Sequence, residues 1–198
     1  MNGAITTAGP GRGLLYLEKI FNFLVKALVY SSAFYFFSFV TADNDLWGHI
    51  KFGEDLWTAK ALHRFDMYSY TAFGSQWINH EWLSELIMYF AYHVFGSPGL
   101  LIGKLLVGFF IIYLLSRISF YRTSEPLVYG IVFVLSVFVM CPGFMIRPQI
   151  LTFLFAAYFL YSFHLYFERG KNLLWTLPII MIAWVNCHGG FLIGVGMF

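Results

Sequence analysis

The chain has 198 residues, of which 60% are hydrophobic, 22% are aromatic and only 11% are charged. Soluble domains carry about 25% charged residues, so this composition indicates an integral membrane protein. The net charge is only +2 and the basic residues are dispersed, whereas nucleic-acid binding requires a concentrated basic patch, so nucleic acid is excluded as a partner.

Apolar runs predict the membrane-spanning helices, since about 20 apolar residues cross a bilayer. Residues 1–13 are rich in glycine and are predicted to form a flexible cytoplasmic tail ahead of one membrane domain over 14–198. Five spans are predicted, at about 21–41, 100–120, 127–144, 150–167 and 173–186. A sixth apolar run begins at Phe191 and is cut short, so we expect the chain to be the N-terminal part of a protein with more spans.

Basic residues beside the spans predict the orientation, because short cytoplasmic loops collect lysine and arginine. Those on the same side as the N-terminus are Arg12, Lys19, Arg117, Arg122, Arg169 and Lys171. The N-terminus is therefore predicted to be cytoplasmic, with the long loop 42–99 on the outer side. Lys26 and Lys104 lie near span ends and are predicted to snorkel toward the head groups.

The outer loop contains two helix candidates. Apolar residues recur at near-helical spacing over 46–57, and Asp43 can cap the start of this helix. The second candidate, 81–95, is too short to span and ends at a Gly-Ser-Pro-Gly turn. Tryptophan-rich amphipathic helices lie in the membrane interface, so we predict two surface helices joined by a turn-rich connector over 65–79.

Polar side chains gather on the outer side of this predicted topology. They are Asp43, Asp45, His49, His80, Glu81, Arg147, Asn186 and His188. Ionisable groups are rare in membrane segments and typically mark function. The convergence predicts a reaction at the outer face, where a lipid-borne substrate meets water.

Three of these residues are carboxylates that could do chemistry. Asp43, Asp45 and Glu81 could accept a proton from an acceptor hydroxyl or help to bind a divalent cation. They could equally cap helices, as Asp43 would for the first surface helix and Glu81 for the second. The carboxylates and histidines match no fixed ligand spacing, so no metal is assigned.

Arg147 and His188 have a functional and a structural interpretation each. The Arg147 guanidinium could hold a phosphate through paired hydrogen bonds, or it could snorkel to lipid head groups. His188 is followed by two glycines, which allow the backbone to approach a ligand closely. A helix-terminating turn explains the same residues equally well.

Four stretches of the sequence carry a resemblance to a known family. They are DNDLWGHIKFGEDLW at 43–57, RFDMYSYTAFGSQWINHEWLSEL at 64–86, RPQ at 147–149 and WVNCHGGFLIG at 184–194. The chain from Asp43 onward resembles bacterial multi-pass proteins related to the GT-C glycosyltransferases, which include the protein O-mannosyltransferase and aminoarabinose-transferase types.

The resemblance implies an all-α, GT-C-like transmembrane helical bundle in the bacterial inner membrane. It also implies an enzyme that takes a sugar from a polyprenyl-phosphate carrier at the periplasmic face. The acidic residue after the first span, here Asp43, would act as base or orient the acceptor, with Asp45 and Glu81 as further catalytic candidates. The substrate-binding candidates are His49, His80, Arg147, Asn186 and His188.

Two other classes of protein stay open at this stage. A multi-pass transporter would place ionisable or broken-helix sites near the membrane midplane, where these spans are nearly bare. A non-catalytic subunit that binds lipid or glycolipid is also compatible with the sequence.

Overall fold

A computed structural model describes residues 12–40, 43–122 and 125–198. In these ranges the chain is helical, without a named strand. The α-helices are α1 Arg12–Phe37, α2 Leu46–Ala59, α3 Trp82–Arg122, α4 Pro126–Met140, α5 Gln149–Arg169, α6 Leu177–Val185 and α7 Phe191–Gly196. Short 3-10 turns at Cys141–Gly143 and Leu174–Thr176 follow α4 and precede α6. The predicted tail lies outside the described residues except for its last two, which begin α1.

Four helices are long and apolar enough to cross a membrane, which indicates a membrane protein. They are Gly13–Phe37, Trp82–Ser119, Pro126–Gly143 and Gln149–Arg169. The fifth predicted span is the shorter apolar helix Leu174–Val185. At 1.5 Å per residue it extends for only about 18 Å, against a hydrocarbon core of about 30 Å. The predicted bounds agree with this helix to within one residue at each end, and its crossing of the membrane stays a prediction.

Close contacts at glycines hold the spanning helices together. A Cβ atom on Gly108 of α3 would lie 2.6 Å from the Phe37 ring, and one on Gly130 of α4 would lie 2.7 Å from Val25. Lipid tails are as apolar as the side chains, so membrane helices associate mainly through such close van der Waals packing. The Phe37 and Phe144 ring centroids lie 4.2 Å apart at the centre of this core.

Helix α3 combines the second predicted surface helix and the second predicted span in one bent element. The bend is at Gly96, whose φ of 64° favours glycine, and Pro98 follows it. A Cβ atom on Gly99 would collide with the Ala91 carbonyl oxygen, so the two arms lie close together. The first arm is helical as predicted, and its location at a membrane surface stays a prediction.

Helix α2 packs tightly against the first arm of α3. Leu46 and Ile50 are buried in one cluster with Met88. A Cβ atom on Gly53 would collide with the Glu85 carbonyl group, so the two backbones touch at this point. This contact holds the side chains of α2 that lie one turn before Gly53 against the first arm of α3.

The loops that carry the predicted site residues meet at one end of the bundle, called the polar end below. Trp82 Nε1 donates to Asn186 Oδ1 at 2.7 Å, and Ser84 Oγ donates to the Cys187 carbonyl oxygen at 2.8 Å. These bonds tie the start of α3 to the end of α6. Asp43 contacts Arg147 and so ties the segment after α1 to the start of α5.

The snorkelling prediction is wrong for Lys104. Its side chain is 3% exposed, and Nζ donates to the Phe39 carbonyl oxygen at 3.0 Å. The ammonium is thus enclosed by the protein near the end of α1 instead of reaching lipid head groups.

Candidate functional site

An ion-pair cluster joins the turn before α2 to the turn before α5. The Arg147 Nε and Nη2 atoms pair with the two carboxylate oxygens of Asp43, and Nη2 also lies 3.0 Å from Asp45 Oδ2. Asp43 Oδ1 also accepts the backbone N–H of Asp45 at 2.9 Å, which fixes the turn. The Asp43 side chain is 6% exposed, whereas that of Asp45 is 65% exposed.

The electrostatics of this cluster favour an ionised Asp43. The hydrogen bond from Arg147, followed by the one from the Asp45 backbone, holds the pKa of the Asp43 carboxyl below its ordinary value. A carboxylate clamped in this way is a poor proton acceptor at neutral pH. The geometry therefore favours Asp43 as the group that holds the Arg147 guanidinium in place.

A buried carboxylate that the sequence analysis did not identify lies next to this cluster. Glu85 is 2% exposed, and its Oε1 atom lies 3.2 Å from His49 Nδ1. Asn79 Nδ2 donates to Glu85 Oε2 at 2.5 Å, and Asn79 Oδ1 accepts the Glu81 backbone N–H at 3.0 Å. The only sequence signal for Glu85 was its position four residues after Glu81, which puts both carboxylates on one face of α3.

Glu81 lies between two histidines. Its Oε1 atom is 3.8 Å from His80 Nε2 and 3.8 Å from His188 Nε2, which is beyond ordinary hydrogen-bond distance. The Glu81 side chain is 21% exposed. Glu81 is therefore less constrained than Asp43 or Glu85.

Hydrogen bonds fix the orientation of His188. Its Nδ1 atom accepts the Gly190 backbone N–H at 3.0 Å and lies 2.9 Å from Thr152 Oγ1. The Thr152 hydroxyl oxygen accepts Trp184 Nε1–H at 3.0 Å, so its own proton is free to point at His188. This pattern assigns the proton of the neutral ring to Nε2, on the side of Glu81. Burial lowers the pKa of His188 and favours that neutral form.

The second glycine after His188 serves packing. A Cβ atom on Gly190 would lie 2.5 Å from Thr152 Oγ1, so only glycine fits between α5 and the turn. Asn186 is also used structurally, because its Oδ1 accepts from Trp82 and its Nδ2 donates to the Ile182 carbonyl oxygen at 2.7 Å.

These groups surround a pocket of about 400 Å³ at the polar end. Five of the predicted site residues line it: Asp45, His49, Glu81, Arg147 and His188. The other lining residues are Asn44, Gly48, Phe52, Pro148 and Gln149. Asp43, His80 and Asn186 do not line the pocket, although Asp43 contacts its wall through Arg147.

One group in the described part of the chain could hold a metal ion. His49, Glu81 and Glu85 each offer one ligand atom, and these atoms lie within 4.8 Å of one another. Asp43 and Asp45, the carboxylates closest to the first span, are instead engaged with Arg147.

Comparison with known proteins gave no relative: no protein-family description, no curated protein and no solved structure matches this chain. The resemblance to the GT-C glycosyltransferases therefore rests on the sequence motifs alone.

Proposed function

We propose that this protein is a membrane glycosyltransferase that moves a sugar from a polyprenyl-phosphate carrier to an acceptor at the outer face of the bacterial inner membrane. The observation that carries the proposal is the position of Arg147. It lines the polar pocket and also a smaller, apolar cavity that includes Met88, Leu100 and Leu151. A phosphate attached to an apolar chain needs a cation at the place where a polar pocket for the phosphate meets an apolar cavity for the chain.

The Arg147 guanidinium is arranged to receive a phosphate. Asp43 and Asp45 use its Nε and Nη2 atoms, which leaves the Nη1 donors without a hydrogen bond among the described residues. Arginine is always charged in proteins, so it would stabilise the negative charge that develops on the departing phosphate. Asp43 would position this group.

The geometry favours Glu81 over Asp43 as the general base. Glu81 lines the pocket and accepts no short side-chain hydrogen bond from the residues that the structure describes, whereas Asp43 is held by Arg147. The Nε2–H group of His188 lies 3.8 Å from Glu81 and could orient the acceptor hydroxyl or the phosphate. The pocket volume of about 400 Å³ is within the usual range for small ligands, about 300–1,000 Å³.

The test is sugar transfer from labelled polyprenyl-phosphate donors in membranes that contain this protein. We expect Glu81→Gln to lower transfer by at least about 100-fold, since general bases contribute about 10²–10⁴-fold. Arg147→Lys should also lose transfer, because lysine lacks the planar fork that pairs with Asp43 and a phosphate. The matched control is Glu54→Gln on α2, an exposed carboxylate that pairs with Lys51 and does not line the pocket.

Two outcomes would contradict parts of the proposal. Full transfer by Glu81→Gln together with none by Asp43→Asn would make Asp43 the base and contradict the role given to Glu81. The absence of transfer above background with every donor and native acceptor extract would favour a transporter or a lipid-binding subunit. The buried Lys104 is the observation that gives the transporter some support, because buried ionisable groups in membrane helices typically lie on transport paths.

A further inference from the structure

The cluster formed by His49, Glu81 and Glu85 contains two groups, His49 and Glu85, to which the proposed transfer reaction gives no role. We propose that it is a binding site for one first-row divalent cation, Zn²⁺ or Mn²⁺, with His49 Nδ1 and one oxygen from each glutamate as ligands, and with the second Glu81 oxygen left to face the acceptor hydroxyl. All three ligand atoms lie within 4.8 Å of one another. They come from α2, from the residue that directly precedes α3 and from the first turn of α3, and the contact at Gly53 holds α2 and α3 together.

The distances suit a metal coordination sphere. Two ligands of a tetrahedral zinc ion, each about 2.0–2.1 Å from the metal, lie about 3.3 Å apart. His49 Nδ1 and Glu85 Oε1 are 3.2 Å apart. Glu81 is one helical turn before Glu85 and supplies an oxygen on the same face of α3. A small rotation of the Glu81 side chain would bring its oxygen from within 4.8 Å of the other two ligand atoms to the distance that a shared metal requires.

The charge of Glu85 calls for a cation. A buried carboxylate is costly unless it is paired with a charge or coordinates a metal. Among the described residues, the one ion-pairing partner of Glu85 is His49, a group without a fixed charge. Asn79 donates to the Glu85 oxygen that does not face His49, as an outer hydrogen-bond partner does for a ligating carboxylate.

The donor set selects the class of metal. One imidazole and two carboxylates suit zinc or manganese, whereas Ca²⁺ takes six to eight oxygen ligands. His49 and Glu81 line the pocket, so a fourth position on the metal would face it. His188 is excluded as a ligand because its Nδ1 atom accepts the Gly190 N–H and its Nε2 atom carries the proton.

The experiment measures metal binding directly and contains no sugar donor, so its result is independent of the transferase proposal. The full chain is purified in detergent, stripped with a chelator and titrated with Zn²⁺ or Mn²⁺. Bound metal is then counted by elemental mass spectrometry, and Mn²⁺ binding is followed by electron paramagnetic resonance. We expect one equivalent per chain and a rise in the thermal unfolding temperature on binding.

Variants assign the ligands. Glu81→Gln and His49→Asn should each weaken binding by at least about tenfold and abolish the metal-induced rise in unfolding temperature. Glu81 is only partly buried, so its variant tests the site without the folding risk of replacing Glu85. Glu54→Gln, on the exposed side of α2, should bind like the wild type.

Two results would overturn the site. The first is the absence of stoichiometric binding of either metal by the wild type, which would leave Glu85 with His49 and Asn79 as its partners. The second is binding that survives in Glu81→Gln and His49→Asn but is lost in His188→Asn, which would assign the metal to different ligands.

Discussion

At the scale of single residues, the site depends on which carboxylates are already occupied. Asp43 has two guanidinium contacts and one backbone contact, whereas the charged partners of the Glu81 side chain in the described part of the chain are two histidines at 3.8 Å. A sequence motif cannot show this difference, because both residues are acidic and both precede a helix. The number of short contacts that a carboxylate makes decides whether it holds a neighbour or reacts.

The Asp43 pair predicts a specific dependence of stability on pH. The pKa of Asp43 is lowered in the folded state by Arg147, while the unfolded value is about 3.9. The contribution of the Asp43–Arg147 pair to the free energy of unfolding is therefore fully present above the unfolded pKa. It is lost as the pH falls through the lower folded pKa. Asp43→Asn should have a lower unfolding temperature than the wild type near neutral pH, and the difference should shrink in acid.

The measurement is thermal unfolding in detergent from about pH 7 to about pH 3. Glu54→Gln is the control, because it removes an exposed ion pair that contributes little. A difference between Asp43→Asn and wild type that stays constant with pH would mean that Asp43 stabilises the fold by packing alone.

The ionisable half of the pocket lining could be predicted from the sequence, but the other lining residues and the supporting residues could not. Ionisable groups stand out in an apolar chain, which is why Arg147 and His188 were identified. Glu85 and Thr152 were missed because their partners, His49 and His188, are each 36 residues away in sequence. Such pairs become visible only when the helices are packed.

At the scale of helices, the apolar runs predicted where the long helices lie but not how they end or bend. Helix α1 begins at Arg12, about nine residues before the predicted span, because a helix continues through polar residues that hydropathy excludes. A surface helix and a span were predicted separately, and Gly96 joins them in α3. Hydropathy measures apolar length, whereas helix boundaries depend on backbone hydrogen bonds and turn residues.

The contact at Gly53 yields a prediction about α2 and α3. In Gly53→Ala the new methyl group would overlap with the Glu85 carbonyl and lie 2.8 Å from Tyr89 Cβ, so α2 must move away. We expect a loss of about 1–3 kcal/mol in the free energy of unfolding, which is the usual cost of overpacking. His49 should also move away from Glu85, and we then expect the proposed metal site to bind more weakly.

The matched control is Gly48→Ala in the same helix. A Cβ atom there meets only the Phe52 ring, at 3.7 Å, so alanine should be neutral or stabilise α2 by up to about 1 kcal/mol. Denaturant unfolding of both variants checks the comparison. Equal stability of Gly53→Ala and Gly48→Ala would show that α2 is not held against α3 as described.

At the scale of the whole molecule, the two ends of the bundle carry different charged groups. The polar end holds Asp43, Asp45, Glu81 and Glu85 together with Arg147. At the opposite end, Lys26, Arg117 and Arg169 from three different helices line one pocket with tyrosine hydroxyls. Cytoplasmic ends of membrane proteins are rich in lysine and arginine, so this distribution favours a cytoplasmic basic end and an outer polar end.

This orientation predicts which surface positions a membrane-impermeant thiol reagent reaches in intact cells. Cysteine at Tyr70, a fully exposed position between α2 and α3, should react from outside, whereas cysteine at Asn172, exposed between α5 and α6, should react only after permeabilisation. Cys141 is removed from the background as Cys141→Ala, and Cys187 reacts little because burial raises its thiol pKa to about 12. The background without introduced cysteines is the control. Labelling of Asn172→Cys but not of Tyr70→Cys in intact cells would show that the bundle has the opposite orientation. The pocket would then face the cytoplasm, which would exclude transfer from a carrier at the outer face.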